Sequence, residues 1–366
     1  MRRFLAGLLV LPALFLSLSP SPSSAQTTAA RTTTAATAAT KIMPLGSSTT
    51  AGSIPGGYRT DLYWMLNSEG HPVDFVGSVT DSTPANLPDR DHEGHGGWVI
   101  DQMTAIAADR MQTYQPDIVL LHAGANDVLG NVNLATAPAR LETLIRTMLT
   151  ARPGLAVYVA TVGPMGDAAT NARAATFNNQ IPFVVAKLAA EGAKVRFVDT
   201  RSALPASDIA ADGIHLTHSG NTKLAAQWYA ALEGSPIART EAETAVFTGK
   251  AHSATSQLAS SNGKAGWLDD LSSSATITVN APYAGTFRVF IRSGNGSGTT
   301  CSHTLNINGG AARVIEYPSY GWEAWTQQAI DVALNAGANT FKFTYRTCFA
   351  EIDSLDLTVP GTSWPA

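Results

Sequence analysis

The sequence predicts a three-layer α/β domain followed by an all-β sandwich. Two observations predict it. Up to about residue 234, short and nearly continuous apolar runs alternate with stretches whose apolar residues recur at helical spacing. Beyond GSPIART (234–240) the apolar period becomes 2, and Gly, Pro, Asn and Ser separate the runs. The first pattern is that of parallel strands covered by helices on both faces, and the second that of an antiparallel sandwich.

The chain has 366 residues, of which 14% are charged, with a net charge of -4. No basic stripe is present, so nucleic acid is not an expected partner. Arg2 and Arg3, the apolar stretch Phe4 to Leu18 and Ser23-Ser24-Ala25 read as a secretory signal peptide over 1–25. No later stretch is long and apolar enough to span a bilayer, so the expectation is a secreted, extracellular protein free of the membrane once the signal is removed. Residues 26–40 are almost all Thr and Ala and predict a disordered leader, because that composition builds no core.

Five runs predict a five-stranded parallel sheet over 41–236: KIMPLG (41–46), VDFVGS (73–78), DIVLLHAG (117–124), AVYVATVG (156–163) and KVRFVDT (194–200). Tyr58, Leu62, Met65 and Leu66 share one helix face, and Leu224, Ala225, Trp228, Tyr229 and Leu232 another. In the second domain, 240–360, ATITVN (275–280) alternates. Phe287, Val289 and Ile291 share a face, as do Ile330, Val332 and Leu334; Phe341, Phe343 and Tyr345; and Leu355, Leu357 and Val359.

Ligands of an open α/β sheet sit at the carboxyl ends of its strands. Four features converge there. GSSTT follows the first strand, and Gly46 lets the chain turn so that a serine is lifted to the sheet edge. In DHEGHGGW (91–98), Gly96 and Gly97 can bring a backbone N–H close to a substrate oxygen. GAND (124–127) ends the third strand and offers the Asn126 amide as an oxyanion donor. DGIH (212–215) precedes the last helix, with Asp212 and His215 spaced for a serine-activating pair. Each piece alone also reads as a turn or a helix cap; the ordered set is what points to acyl chemistry. His92-Glu93-Gly94-His95 is one residue short of a zinc HExxH and is read as turn hydrogen bonding or cleft mouth. His122 reads as a core histidine, Asp199 as a partner of loop amides, and Arg59 as structural.

These blocks resemble the SGNH hydrolases, also called the GDSL esterases. IMPLGSSTTAG, GGYR, VDFVGS, HEGHGGW, LLHAGAND and ADGIHLTHSG resemble in particular carbohydrate esterase family three, the acetylxylan esterases. The resemblance places the nucleophile at Ser48, with Ser47 where the family has Asp. It implies Ser48, Asp212 and His215 as the catalytic triad, and Ser48, Gly97 and Asn126 as the oxyanion hole. No cofactor is implied for catalysis.

In the second domain Glu241 and Glu243 lie two apart, on one side of a strand, and Asp353 comes late in the chain. Such carboxylates suit Ca²⁺ and equally a solvated strand face. Trp267, Tyr317, Tyr320, Trp322 and Trp325 fall in loops, with Trp325 read as core and Trp267 as exposed; about half are expected to be core and the others to stack on sugars. Cys301 and Cys348 would pair in an oxidising compartment. EAET, GWLDD, LNINGG, WEAWTQQAIDVALNAGANTFKF and EIDSLDLTV resemble carbohydrate-binding modules of families thirty-five and six, which are jelly rolls. That resemblance implies a structural calcium at Glu241, Glu243 and Asp353, and a sugar site for which Trp267, Tyr320 and Trp322 are candidates. The expected whole is a monomeric secreted esterase removing acetyl groups from xylan. The alternatives are a broader lipase or feruloyl-type esterase, and a sugar-binding protein with a decayed hydrolase site.

Overall fold

The apolar run at 41–46 becomes strand β1 (Thr40–Gly46), whose last five residues are buried. A computed structural model of the chain describes residues 38–68, 70–234 and 238–358. The signal, nearly all of the leader, Val359 and the linker residues 235–237 lie outside the described residues. Four further strands follow the expected runs or the glycine loop: β2 (Val73–Phe75), β3 (Val79–Thr80), β4 (Asp91–Gly94) and β5 (Ile118–His122). β6 (Ala156–Ala160) and β7 (Val195–Val198) complete the sheet.

Seven strands therefore form the sheet where five were expected. The difference has a simple origin. β2 pairs with the start of β1 and β4 with its end, so both occupy one edge of β1 in succession. β5, β6 and β7 follow in parallel on the other side. β3 is an antiparallel addition to β4. The five expected parallel positions are present, and the glycine loop contributes one edge of them.

Eight helices cover this sheet: α1 (Ser48–Ala51), α2 (Gly57–Ser68), α3 (Ile100–Tyr114), α4 (Ala125–Leu129), α5 (Ala137–Ala151), α6 (Ala168–Asn178), α7 (Ile181–Ala190) and α8 (His218–Glu233). Met103, Leu141, Leu144 and Met148 pack on one face of the sheet. Tyr58, Leu62, Met65, Leu224 and Trp228 pack on the other. Among the described residues no helix is long and apolar enough to cross a membrane.

The second domain is all β, as its period predicted. β8 (Ala238–Glu241), β9 (Val246–Thr248), β10 (His252–Thr255), β11 (Gly263–Gly266), β12 (Ser274–Ala281), β13 (Gly285–Asn295), β14 (Cys301–Ile307), β15 (Arg313–Tyr317), β16 (Gly321–Leu334), β17 (Gly337–Thr347) and β18 (Glu351–Thr358) form two antiparallel sheets. Phe287, Val289, Ile291, Phe341, Phe343, Leu355 and Leu357 fill the space between them. Cys301 and Cys348 are bonded, with Cα atoms 5.2 Å apart. Closing a loop of that length contributes about 4 kcal/mol on a chain-entropy argument.

Candidate active site

α1 sits directly beyond β1, and Gly46 makes that junction possible. A Cβ at Gly46 would stand 2.6 Å from the His122 carbonyl oxygen and overlap the Thr50 hydroxyl. Ser48 opens α1, so its backbone N–H has no acceptor inside the helix. Arg59 fixes α1 from behind. Its Nε donates to the Thr50 carbonyl at 3.0 Å and its Nη2 to the Ala51 carbonyl at 3.0 Å, while Nη1 reaches the Arg90 carbonyl. The same guanidinium pairs with Asp81 at 2.6 Å.

The three residues of the DGIH and GSS motifs meet. The Ser48 hydroxyl lies 3.0 Å from His215 Nε2, and His215 Nδ1 lies 2.6 Å from Asp212 Oδ2. Asp212 is an acceptor only, so Nδ1 carries the proton and Nε2 is free to take one from Ser48. The backbone N–H of His215, with the His215 ring and the Ile214 N–H, holds the Asp212 carboxyl down at about 2. Asp212 therefore stays ionised throughout the neutral range.

Ser48 and Asn126 line a small cavity of about 20 Å³ whose other walls include Leu129, Val162, Met165 and Ile214. Asn126 Nδ2 donates one hydrogen to the Trp98 carbonyl at 2.9 Å, which leaves its second amide hydrogen for a ligand. Gly97 precedes that carbonyl at φ +80°, a backbone region that suits glycine, with open space where a Cβ would stand. Gly97 is not itself a wall of the cavity.

Further residues set this geometry. Asp127 is fully buried, accepts from the Ile100 N–H at 3.0 Å and pairs with Arg140 at 2.6 Å, so it ties α4 to the start of α3. Glu93 lies under the glycine loop, held by Ser78, Arg110 and His95 Nε2. Burial pushes its carboxyl up, but the hydrogen bonds from His95, Ser78 and Arg110 outweigh it and keep it below the usual range. His95 in turn stacks on Trp98 with ring centres 4.0 Å apart. The turn roles of His92 and His95 and the structural role of Arg59 follow the sequence reading. The helix tie made by Asp127 was not visible in sequence, because its partners lie 27 and 13 residues away. His122 is buried as expected, and burial lowers its pKa to about 4; it also borders the Ser48 cavity. Asp199 accepts from the Ser202 N–H.

The expected calcium ligands are not gathered round one point. Glu241 and Asp353 both reach Ser260, but Glu243 turns to Ser261. The second oxygen of Asp353 is bound to Arg292. Among the described residues no three His, Cys, Asp or Glu side chains could hold a metal ion. The three candidate sugar-binding aromatics also part company. Trp267 stacks on His252 and Tyr320 packs on Trp64, while Trp322 is 47% exposed and lines a cleft against the first domain. Tyr317 and Trp325 are buried.

Ser48, His215 and Asp212 thus stand in line beyond β1, with the Asn126 amide lining the same cavity. The pattern of the GDSL-like Lipase/Acylhydrolase family matches residues 45–223. The first domain belongs to that family. Residues 238–359 match the family 35 carbohydrate-binding module, and the second domain is such a module. The chain is 31% identical over 221 residues to a multidomain esterase of Ruminococcus flavefaciens, a match covering 53% of this chain and 28% of that protein. The chain thus spans little over a quarter of that curated relative, and 56% of a second, from Acetivibrio thermocellus. A family 3 carbohydrate esterase of Clostridium thermocellum is 38% identical, with a TM-score of 0.48, over 53% of this chain and 94% of that one. A family 35 carbohydrate-binding module from Clostridium thermocellum is 26% identical, with a TM-score of 0.32, over 33% and 98%.

Proposed function

We propose that this GDSL-like protein is a secreted serine esterase that removes O-acetyl groups from plant polysaccharide, with acetylated xylan as substrate. The observation that carries the reading is the Ser48–His215–Asp212 line ending on a cavity of about 20 Å³. That volume holds only one or two water-sized groups, at ~10–15 Å³ each. So small a cavity favours an acetyl methyl over a feruloyl or fatty acyl chain.

The chemistry follows from the residues. His215 Nε2 takes the Ser48 proton as Oγ bonds to the ester carbonyl carbon. The oxyanion so formed is met by the Ser48 and Gly97 N–H groups and the free Asn126 amide hydrogen. His215 returns its proton to the departing sugar oxygen, and the C–O bond breaks. Water then attacks the acetyl-serine by the same path in reverse, and acetate leaves. Asp212 stays anionic and stabilises the imidazolium in both steps. The Cys301–Cys348 bond agrees with an oxidising, extracellular setting.

The test is acetate release from acetylated xylan by the wild type, Ser48→Ala and Ser47→Ala. Ser48→Ala is expected to abolish release and Ser47→Ala to retain most of it. A wild type that hydrolyses a soluble aryl acetate but not the polymer removes the polysaccharide assignment. A wild type that cleaves neither favours a sugar-binding protein with an inert hydrolase site.

A further inference from the structure

The two domains are docked through buried contacts. Arg292 Nε on β13 donates to Asp61 Oδ1 on α2 at 3.0 Å, with both side chains about 5% exposed. Asn86 Nδ2 donates to the Trp325 carbonyl at 2.7 Å, and Phe290 meets Tyr229 edge-on at 5.1 Å. Beside these contacts lies a cleft of about 400 Å³ walled by both domains. Its size is within the ~300–1,000 Å³ of ordinary ligand sites.

One wall is an aromatic platform. Trp322 is held edge-on by Phe349, 5.4 Å away, and lies on Gly296, where a Cβ would overlap the indole. It is nevertheless 47% exposed. The next residue, Glu323, sits at φ +63°, a costly conformation fixed by Ser256 and by Lys264 Nζ at 3.1 Å. The opposite wall is esterase backbone and small side chains at Ile54, Pro55, Pro84 and Ala85. Two cleft-lining residues, Trp325 and Thr60, carry a buried indole N–H and a buried hydroxyl with no hydrogen-bond partner among the described residues. The cleft adjoins the nucleophile's helix: it is lined by His218, three residues beyond His215, and by Gly57, where a Cβ would stand 3.6 Å from the Thr49 carbonyl oxygen.

We propose that this cleft is a subsite for the backbone of a neutral pyranose polymer, built jointly by the two domains. The module is then part of the substrate-binding surface rather than a separate tether. This rests on the polysaccharide reading above and extends it. The ligand is neutral because both cations at these walls are already shared by carboxylates, Arg292 by Asp61 and Asp353 and Lys264 by Glu323 and Glu351. His218 is uncharged at neutral pH, because burial pulls its pKa down to about 4. A sugar face against Trp322 and hydroxyls toward the polar walls match that surface; a uronic acid would find no free cation there.

Calorimetric titration of xylohexaose and cellohexaose into the whole chain, Trp322→Ala and Ala85→Trp tests the proposal without using catalysis. Ala85 is exposed, so the second variant fills the cleft from the esterase side without touching the core. At least one of the two sugars should bind the wild type, and each variant should weaken that binding by about tenfold or more, as loss of an aromatic anchor does. Neither sugar binding the wild type, or both variants binding as the wild type does, overturns the proposal. Weakening by Trp322→Ala alone places the sugar on the module only and overturns the joint site. Tighter binding of a glucuronic-acid-bearing xylo-oligosaccharide overturns the neutral assignment. Sugar binding in the cleft without acetate release from any polysaccharide would remove the proposed function and leave the subsite standing.

Discussion

Ser47 and Ser48 are neighbours in sequence and opposites in environment. The Ser48 hydroxyl faces His215 Nε2, whereas Ser47 is 1% exposed with a hydroxyl that meets no partner among the described residues. A buried hydroxyl with nothing to bond is replaced by a methyl at little cost, which is why Ser47→Ala should leave both stability and activity near wild type. Asn126 is the opposite case. Its amide is pinned by the Trp98 carbonyl and aimed by it, so Asn126→Ala should lower kcat about 10²–10³-fold with a small change in KM. A loss below tenfold in steady-state assays would show that the amide does not meet the oxyanion. Asp212 is held ionised down to about 2, so protonation of its carboxyl does not shape the rate profile in the neutral range. Candidate triad residues were legible here because GSS beyond β1 and DGIH just before α8 are local spacings; the aim of Asn126 was not, because it is set by a carbonyl 28 residues away.

At the scale of elements, a helix of four residues carries Ser48, the candidate nucleophile, and four residues cannot hold a helix by themselves. α1 persists because Arg59, fully buried, supplies donors to its last carbonyls and to Arg90. Arg59→Met should therefore leave several buried acceptors unpaired and Asp81 without its arginine, lowering stability by about 3 kcal/mol or more in denaturant titrations. It should also lower kcat, because Ser48 loses its fixed distance to His215. A destabilisation under about 1 kcal/mol with unchanged kcat would mean that β1 and β4 hold α1 unaided. The sheet shows a related effect of context. VDFVGS pairs for only three residues, and the glycine loop takes over its edge of β1 as β4. DHEG has no strand-like composition, so propensity does not announce it; its backbone groups pair because β1 offers a free edge there.

At the scale of the molecule, the alternation on β13 decides how the domains meet. Phe287, Val289 and Ile291 fill the sandwich, as their period indicated, and Phe290 and Arg292 point the other way into the esterase domain. Two carboxyls give the whole chain a pH signature. Burial raises Glu233 and Glu241 from 4.5 to about 7, and Glu233 shares a 3.0 Å hydrogen bond with His71, whose pKa burial lowers. Between pH 4.5 and 7 the folded state binds more protons at these sites than the unfolded chain does. Their contribution to stability is thus complete at the acid end of that window and lost as pH rises through it. Thermal melts should show Glu233→Gln close to wild type near about pH 5 and more stable than wild type near about pH 8. An equal difference at both pH values would remove Glu233 from the account.

The sequence by itself determined the two domain types, the strand runs and the triad candidates, because period, turn chemistry and short motifs act between residues close in the chain. Only the tertiary structure decided what Arg292, Asp353 and Trp322 do. Asp353, one of the three carboxylates singled out in the second domain, pairs with an arginine that also reaches Asp61, 231 residues away in sequence. A strand pattern tells which side chains face the core; it does not tell whether the opposite face meets water or another domain. That choice rests on burial and charge pairing between distant segments, and it turned the outer face of β13 and β16 into an interface with a cleft beside it.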